Sequence, residues 1–445
     1  MPLKSALIPL LLMLLAPAAF PQESHTPALL TLDQAISLAI QQNRLIHSSA
    51  LEVLKLDDKL AATRTMRYPY FSWYTFGSQR ITGLDFIFPA GSFGTNPPIP
   101  ATDTAIHAAA TPAVLLMGRI DQPLSQQYRI GLNLHSIDME KQIAVQQERL
   151  QKQSVVDQVK RTYYAILQMQ SSLESVEESI RLYREMDRVT EQYVLQQTAL
   201  KSQSLEVKTR LAKAEYDALA LRNPIDTQKE QLNSLMGRDL RTGFSVSPVP
   251  DAAGVEKDLE AARRLALAQR PEVTQARLRV KQAEYDRRVK KSEYIPDLSL
   301  SFSYVSPVGY GSLVPSNIAS VGLLFTWEPF DWGKKKHELS EKSRAIEQAE
   351  LALHEAEDQV AIDVGSRFRT LEETHQLIIV SRLGQETARE KLRVMSNKYK
   401  QDVSLFADLL QAQASLAEAD SQYQQALLNY WTARADFEKS LGMEP

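Results

Sequence analysis

The chain has 445 residues, 44% of them hydrophobic and 24% charged, with a formal net charge of −3. That balance allows a large buried core, and the lack of a basic surplus argues against a nucleic-acid partner. With no cysteine, neither disulfides nor thiolate metal sites hold the fold, and no lipid can be attached through an N-terminal cysteine.

At the N-terminus, Lys4 precedes an apolar run from Ala6 to Leu15, followed by Ala16, Pro17, Ala18 and Ala19. This predicts a secretory signal, residues 1–18, cleaved after Ala18. The run is about half the ~20 apolar residues that a spanning helix needs. No later segment is apolar for eighteen residues. A chain of this kind can therefore cross lipid only as a closed β-barrel.

From Leu30 onward the chain repeats itself, a feature to be sought before any element is assigned. An offset of 227 lays Leu32 on Leu259, Ala35 on Ala262, Ala39 on Ala266, Gln42 on Gln269 and Pro69 on Pro296 without a gap. An offset of 205 lays Val159 on Val364, Tyr163 on Phe368, Leu211 on Leu416, Ala214 on Ala419 and Gly237 on Gly442. The smaller offset means that the first copy carries extra residues, which fall in the Gly- and Pro-rich stretch from Ile81 to Thr111. The units are 30–237 and 258–442, joined by a linker at 238–257.

In the first unit, Tyr68 to Gln79 is aromatic and strand-like, which predicts a strand at about 68–80. Its partner is expected at about 114–122. Tyr128, Ile130, Leu132 and Leu134 also alternate, but aligning Pro123 with Pro329 puts them inside a helix. Between Gly131 and Gly237 there is no glycine, and between Pro123 and Pro224 no proline, so nothing breaks a long helix there. Val159, Ile166, Leu173 and Ile180 recur at seven, with Met169, Val176 and Tyr183 each three residues after the last three of these, as in a coiled-coil seam. Pro224 is expected to kink the returning helix or mark a bulge.

In the second unit, DLSLSFSYV alternates strictly and predicts a strand at 297–305, paired with one at about 317–328 that contains Val321, Leu323, Phe325 and Trp327. From Asp331 to Glu444 there is again no proline. Trp73, Trp327 and Trp332 lie in or beside predicted strands, either as a belt at a membrane surface or as the core of a soluble sheet. A lone hairpin is barely stable in water, and four strands cannot close a barrel. Several chains must then share one, and three would supply twelve strands.

No catalytic or cofactor constellation stands out, so neither an enzyme nor a cofactor is expected. The glycines of SPVGYGSLVP lack the context of a phosphate loop, and the seven histidines have no metal-ligand spacing.

Four segments carry a resemblance to the TolC-like outer membrane efflux protein family: LTLDQAISLAIQQN at Leu30 to Asn43, LNSLMG at Leu232 to Gly237, WEPFDWGKKK at Trp327 to Lys336, and YKQDVSLFADLLQAQASLAEA at Tyr399 to Ala419. The resemblance implies a mainly α fold with a small β part: long coiled-coil helices and two β-hairpins, assembled as a homotrimer. Its β-barrel would sit in the lipid bilayer of the outer membrane and its helical barrel in the periplasm, meeting a periplasmic adaptor and an inner-membrane transporter. Efflux or type I secretion is the implied function. The competing reading is a soluble periplasmic adaptor or scaffold, although such a protein would flank one helical hairpin with compact β-rich domains.

By the same resemblance, the helix turns near Gln197 and Asp402 are the periplasmic tips, where the family usually has glycine. Tyr399 matches a family tyrosine that helps hold the tip closed, but the basic partner position is Ser404 here. Asp408 aligns with an acidic position of the constriction, while the second such position is Gln411. Asp408 is thus either one carboxylate of a three-fold ring or a cap on the returning helix.

Overall fold

The computed structural model describes residues 28–79, 81–198, 200–249, 258–309, 315–401 and 403–443. The predicted signal, residues 250–257 of the linker and Asp402 lie outside the described residues.

In the first unit, β1 (Ala28–Leu30), α1 (Leu32–Gln42) and α2 (Arg44–Thr65) lead into β2 (Tyr70–Gln79). β3 (Leu84–Phe88), β4 (Gly94–Thr95), β5 (Pro98–Ile99) and β6 (Thr104–Ala108) precede β7 (Pro112–Pro123), and α3 (Gln126–Leu195) and α4 (Lys201–Leu235) complete the unit. After β8 (Phe244–Val246), the second unit contains α5 (Leu259–Gln269), α6 (Pro271–Ser292), β9 (Asp297–Val308), β10 (Ile318–Thr326), α7 (Lys334–Lys400) and α8 (Phe406–Ser440). Tyr128 to Leu134 lies within α3, on the side of the repeat alignment against the local alternation.

α3 has 70 residues and α7 has 67, so each is about 100 Å long at ~1.5 Å per residue. Each is matched by two shorter helices. α4 and α2 both pack on α3, and α8 and α6 both pack on α7 and on α3. The shorter helices meet end to end: Asn43 caps α2 by accepting from Leu45 N–H at 2.9 Å, while its own amide donates to Leu235 O at 2.8 Å. Just past α4, Gly237 has φ +72°, and a Cβ there would stand 2.3 Å from Gln42 O. Gly442 occupies the same place after α8, at φ +76°, against Arg270. Only glycine takes this left-handed exit at such close approach.

The same equivalence organises the core. Ala39, Val159 and Tyr163 are buried in a cluster with β1 and β8, and Ala266, Val364 and Phe368 are buried in a cluster with α5 and α8. The repeat diverges at one atom. Tyr163 Oη lies 2.9 Å from Leu30 O and 2.8 Å from Ser247 O and accepts from Ser247 N–H, tying down the parallel β1–β8 pair.

The main sheet has the order β10-β9-β7-β2, antiparallel throughout. The register puts Trp73, Gly118, Tyr304 and Ala319 in one row and Phe71, Ile120, Phe302 and Val321 in the next on the same face. Ser72, Arg119, Ser303 and Ser320 form a row on the opposite face. One face is therefore apolar, and the other is polar towards the helices and apolar near the hairpin tips, where Phe76 and Leu115 sit.

Three short pairings were not anticipated. The stretch from Ile81 to Thr111 holds the antiparallel pairs β3–β6 and β4–β5, and the linker holds β8. Strands of two to five residues are too short to display a period, and β8 finds its partner more than two hundred residues away.

Candidate functional site

The two helical turns farthest from the sheet come side by side because Leu410 of α8 packs with Met186 of α3 and Val207 of α4. At the first turn, Gln197 takes φ +60°, the left-handed conformation expected of glycine there, while its N–H bonds to Val194 O and that of Thr198 to Tyr193 O. Leu200 N–H then donates to Gln203 Oε1 at 3.1 Å at the start of α4.

The second turn follows the same plan. Val403 N–H bonds to Lys398 O, and Leu405 N–H donates to Asp408 Oδ2 at 3.3 Å. The offset of 205 superposes Leu200 on Leu405 and Gln203 on Asp408, so one cap is built twice, once neutral and once charged. A side-chain acceptor here satisfies a backbone donor that the helix leaves open. Asp408 is exposed and uses one carboxylate oxygen in this bond. Tyr399 is half-buried in the last turn of α7, and Ser404 Oγ is enclosed without a hydrogen-bond partner among the described residues.

Three ion pairs missed from the sequence lace α3 to α4: Glu177 with Arg222 at 2.9 Å, Arg184 with Glu215 at 2.8 Å, and Glu191 with Lys208 at 3.0 Å. They recur every seven residues along both helices, in antiparallel register. The Glu191 carboxylate holds the Lys208 ammonium above its usual range. Heptad spacing of charge around the apolar seam was the available signal. The equivalent stretch of α7 and α8 has instead Gln385 donating to Asp420 at 2.8 Å and Arg382 against the Tyr423 ring.

At the sheet end, Trp73 is 52% exposed on the apolar face, its ring lying over Gly118, where a Cβ would come within 3.0 Å. Trp327 lies just beyond β10 and Trp332 is 89% exposed at φ +57°, in edge contact with Phe330. The structure thus divides the residues singled out from the sequence between two ends of the molecule. Gln197, Tyr399, Ser404 and Asp408 are at the helical tips, and the three tryptophans are at the sheet. Among the described residues, no helix is long and apolar enough to cross a membrane, and no three His, Asp or Glu side chains are grouped to hold a metal.

A family model described as outer membrane efflux protein matches residues 262–443, nearly the whole second unit. The second unit thus carries the sequence pattern of the outer membrane efflux proteins. The alkaline protease secretion protein AprF of Pseudomonas aeruginosa is 22% identical over 299 residues, which cover 64% of this chain and 61% of AprF. The CmeC outer membrane channel of Campylobacter jejuni has the same fold, with a TM-score of 0.76 at 13% identity over 92% of this chain and 85% of CmeC. The MtrE outer membrane channel of Neisseria gonorrhoeae, in its open state, gives 0.71 at 17% identity over 92% and 88%. Both units of the efflux protein fold are present here, including the first, which the family model does not reach.

Proposed function

We propose that three copies of this chain form an outer-membrane exit duct for efflux or type I secretion, a passive conduit joined through a periplasmic adaptor to an inner-membrane transporter. The observation that carries the reading is the pair of open edges on the four-stranded sheet. Among the described residues, β2 and β10 have no outer partner, and their unpaired backbone groups invite another strand.

Because the sheet has an even number of antiparallel strands, β2 and β10 run in opposite directions, and the β10 of one copy continues the alternation next to the β2 of another. Three copies close twelve strands and leave no edge. The apolar face with Phe71, Trp73, Phe302, Val321 and Phe325 then meets lipid, and the face with Arg119, Asp121, Ser301 and Ser303 lines the bore. An apolar exterior with a polar interior is what a water-filled barrel requires.

The long helices extend the wall on the periplasmic side, with the tips as the narrow end. Asp408 from each copy supplies one carboxylate to a three-fold ring that attracts cations and retards anions. Passage, not catalysis, is the activity. The family fold, with channel relatives over 92% of the chain, favours this reading over the soluble scaffold.

Detergent extraction from outer membranes is expected to yield a trimer with single-channel conductance in planar bilayers. Recovery of the full-length protein as a soluble periplasmic monomer would overturn the proposal.

A further inference from the structure

Basic residues crowd the end of the sheet that joins the helices. Arg287, Arg288, Lys290 and Lys291 precede β9, Lys334, Lys335 and Lys336 follow β10, and Arg64 and Arg67 precede β2. A hairpin returns to the end it left, so these segments share one level of the molecule. They do so in a chain whose net charge is −3.

The acids at this level are already engaged. Glu293 and Glu338 each lie 2.7 Å from Lys290, Asp297 lies 3.1 Å from Arg129, and Glu328 lies 3.5 Å from Lys335. Asp331 accepts from the backbone N–H of Gly333 and Lys335, and Asp286 accepts from the Ser136 hydroxyl. What is left over is cationic. Arg64, Arg67, Arg288, Lys291, Lys334 and Lys336 are exposed and form no salt bridge among the described residues.

Helix stability does not account for the lysines of α7. Its first turn has no acidic residue, and cations there oppose the helix dipole. The collar also adjoins exposed aromatics, Tyr68, Tyr294, Trp327, Phe330 and Trp332, and through Trp327 it continues into the apolar sheet face at Phe325. Cations in a ring beneath amphipathic aromatics, at the edge of an apolar band, match the chemistry of a bilayer surface rich in phosphate.

We propose that this collar binds the headgroups of anionic phospholipids in the leaflet that faces the helical barrel, fixing the depth of the sheet in the bilayer. The inference rests on the membrane-barrel reading of the preceding subsection.

The test uses the full-length protein extracted in detergent, exposed to phosphatidylglycerol or phosphatidylcholine, with bound lipid counted by native mass spectrometry. The wild type is expected to retain phosphatidylglycerol about tenfold better than phosphatidylcholine. Lys291→Gln/Lys334→Gln/Lys336→Gln is expected to lose that preference and keep its conductance. Lys201→Gln/Lys213→Gln/Lys391→Gln, which removes three exposed cations far from the sheet, is expected to keep both. Equal retention of the two lipids by a conducting wild-type trimer, or an unchanged preference in the collar variant, overturns the collar and leaves the conduit standing. Failure of the wild type to conduct at all overturns both.

Discussion

The carboxylate of Asp408 accepts the backbone N–H of Leu405 at 3.3 Å, and Gln203 makes the same bond to Leu200 at 3.1 Å in the other unit. The charge of Asp408 is therefore not needed for the cap, since a neutral amide oxygen serves equally well at the equivalent position.

That separation gives a clean experiment. Asp408→Asn keeps an acceptor for Leu405 N–H and removes the charge, so it should leave unfolding unchanged while weakening cation preference in planar bilayers. Asp408→Ala should weaken both, with a cap loss of about 0.5–1 kcal/mol. Unchanged reversal potentials in Asp408→Asn would count against the carboxylate ring.

Tyr163→Phe removes the hydroxyl that ties β1 to β8 and leaves the Ser247 N–H without that acceptor. Urea unfolding should show a loss of about 1–2 kcal/mol. Burial pushes the Tyr163 hydroxyl pKa up, so the bond should persist at any neutral or mildly alkaline pH. Phe368, its repeat partner, packs in the other cluster and against Phe437, so a hydroxyl in Phe368→Tyr should not replace the tie between β1 and β8.

Gly237→Ala places a Cβ 2.3 Å from Gln42 O at a φ of +72°. A loss of at least about 2 kcal/mol is expected, seen as a lower denaturation midpoint and reduced trimer yield. Wild-type stability in this variant would mean that the joint between α4 and α2 yields more readily than its geometry implies.

Each rung of the α3–α4 ladder is solvent-exposed and should contribute only about 0.2–1 kcal/mol. Glu177→Arg should cost about that much, and Arg222→Glu in the same chain should restore it. A double-mutant cycle with no coupling would mean that the ladder does not hold α3 to α4.

The Lys290 ammonium holds the Glu338 carboxyl below its usual range, joining the end of α6 to the start of α7. A carboxyl pKa lowered by folding adds stability above its unfolded value, near pH ~4.3, and loses it as pH falls through the folded value. Amide protection at the α6–α7 contact, taken relative to the intrinsic exchange rate at each pH, should therefore be constant from neutral pH down to about 5 and fall only in stronger acid. Lys290→Met should abolish that acid response.

The repeat made much of this architecture readable from the sequence. Aligning Pro123 with Pro329 placed Tyr128 and Leu134 in a helix although they alternate like a strand, because continuity over 70 residues outweighs four residues of period two. The hairpin partner near Val114 followed from the same alignment. Short non-local pairings such as β1–β8 were beyond reach, since three residues carry no period and the register depends on Tyr163. At the tip, motif comparison found Asp408 but not Gln203, because a cap is defined by a backbone donor that sequence does not display. The collar lysines stood in plain view at Lys334 to Lys336; their significance depends on which neighbouring acids are already paired.

Edge strands of separate copies that meet can be joined by intermolecular disulfide trapping, because the chain has no cysteine of its own. One cysteine at Ser72 in β2, combined in turn with one at Ser320, Gly322 or Leu324 on the same face of β10, samples the unknown register. Oxidation in membranes should give, for at least one combination, covalent dimers and trimers that stop at three. Monomers throughout the scan, or an open ladder of higher species, would contradict closure of the barrel by three chains.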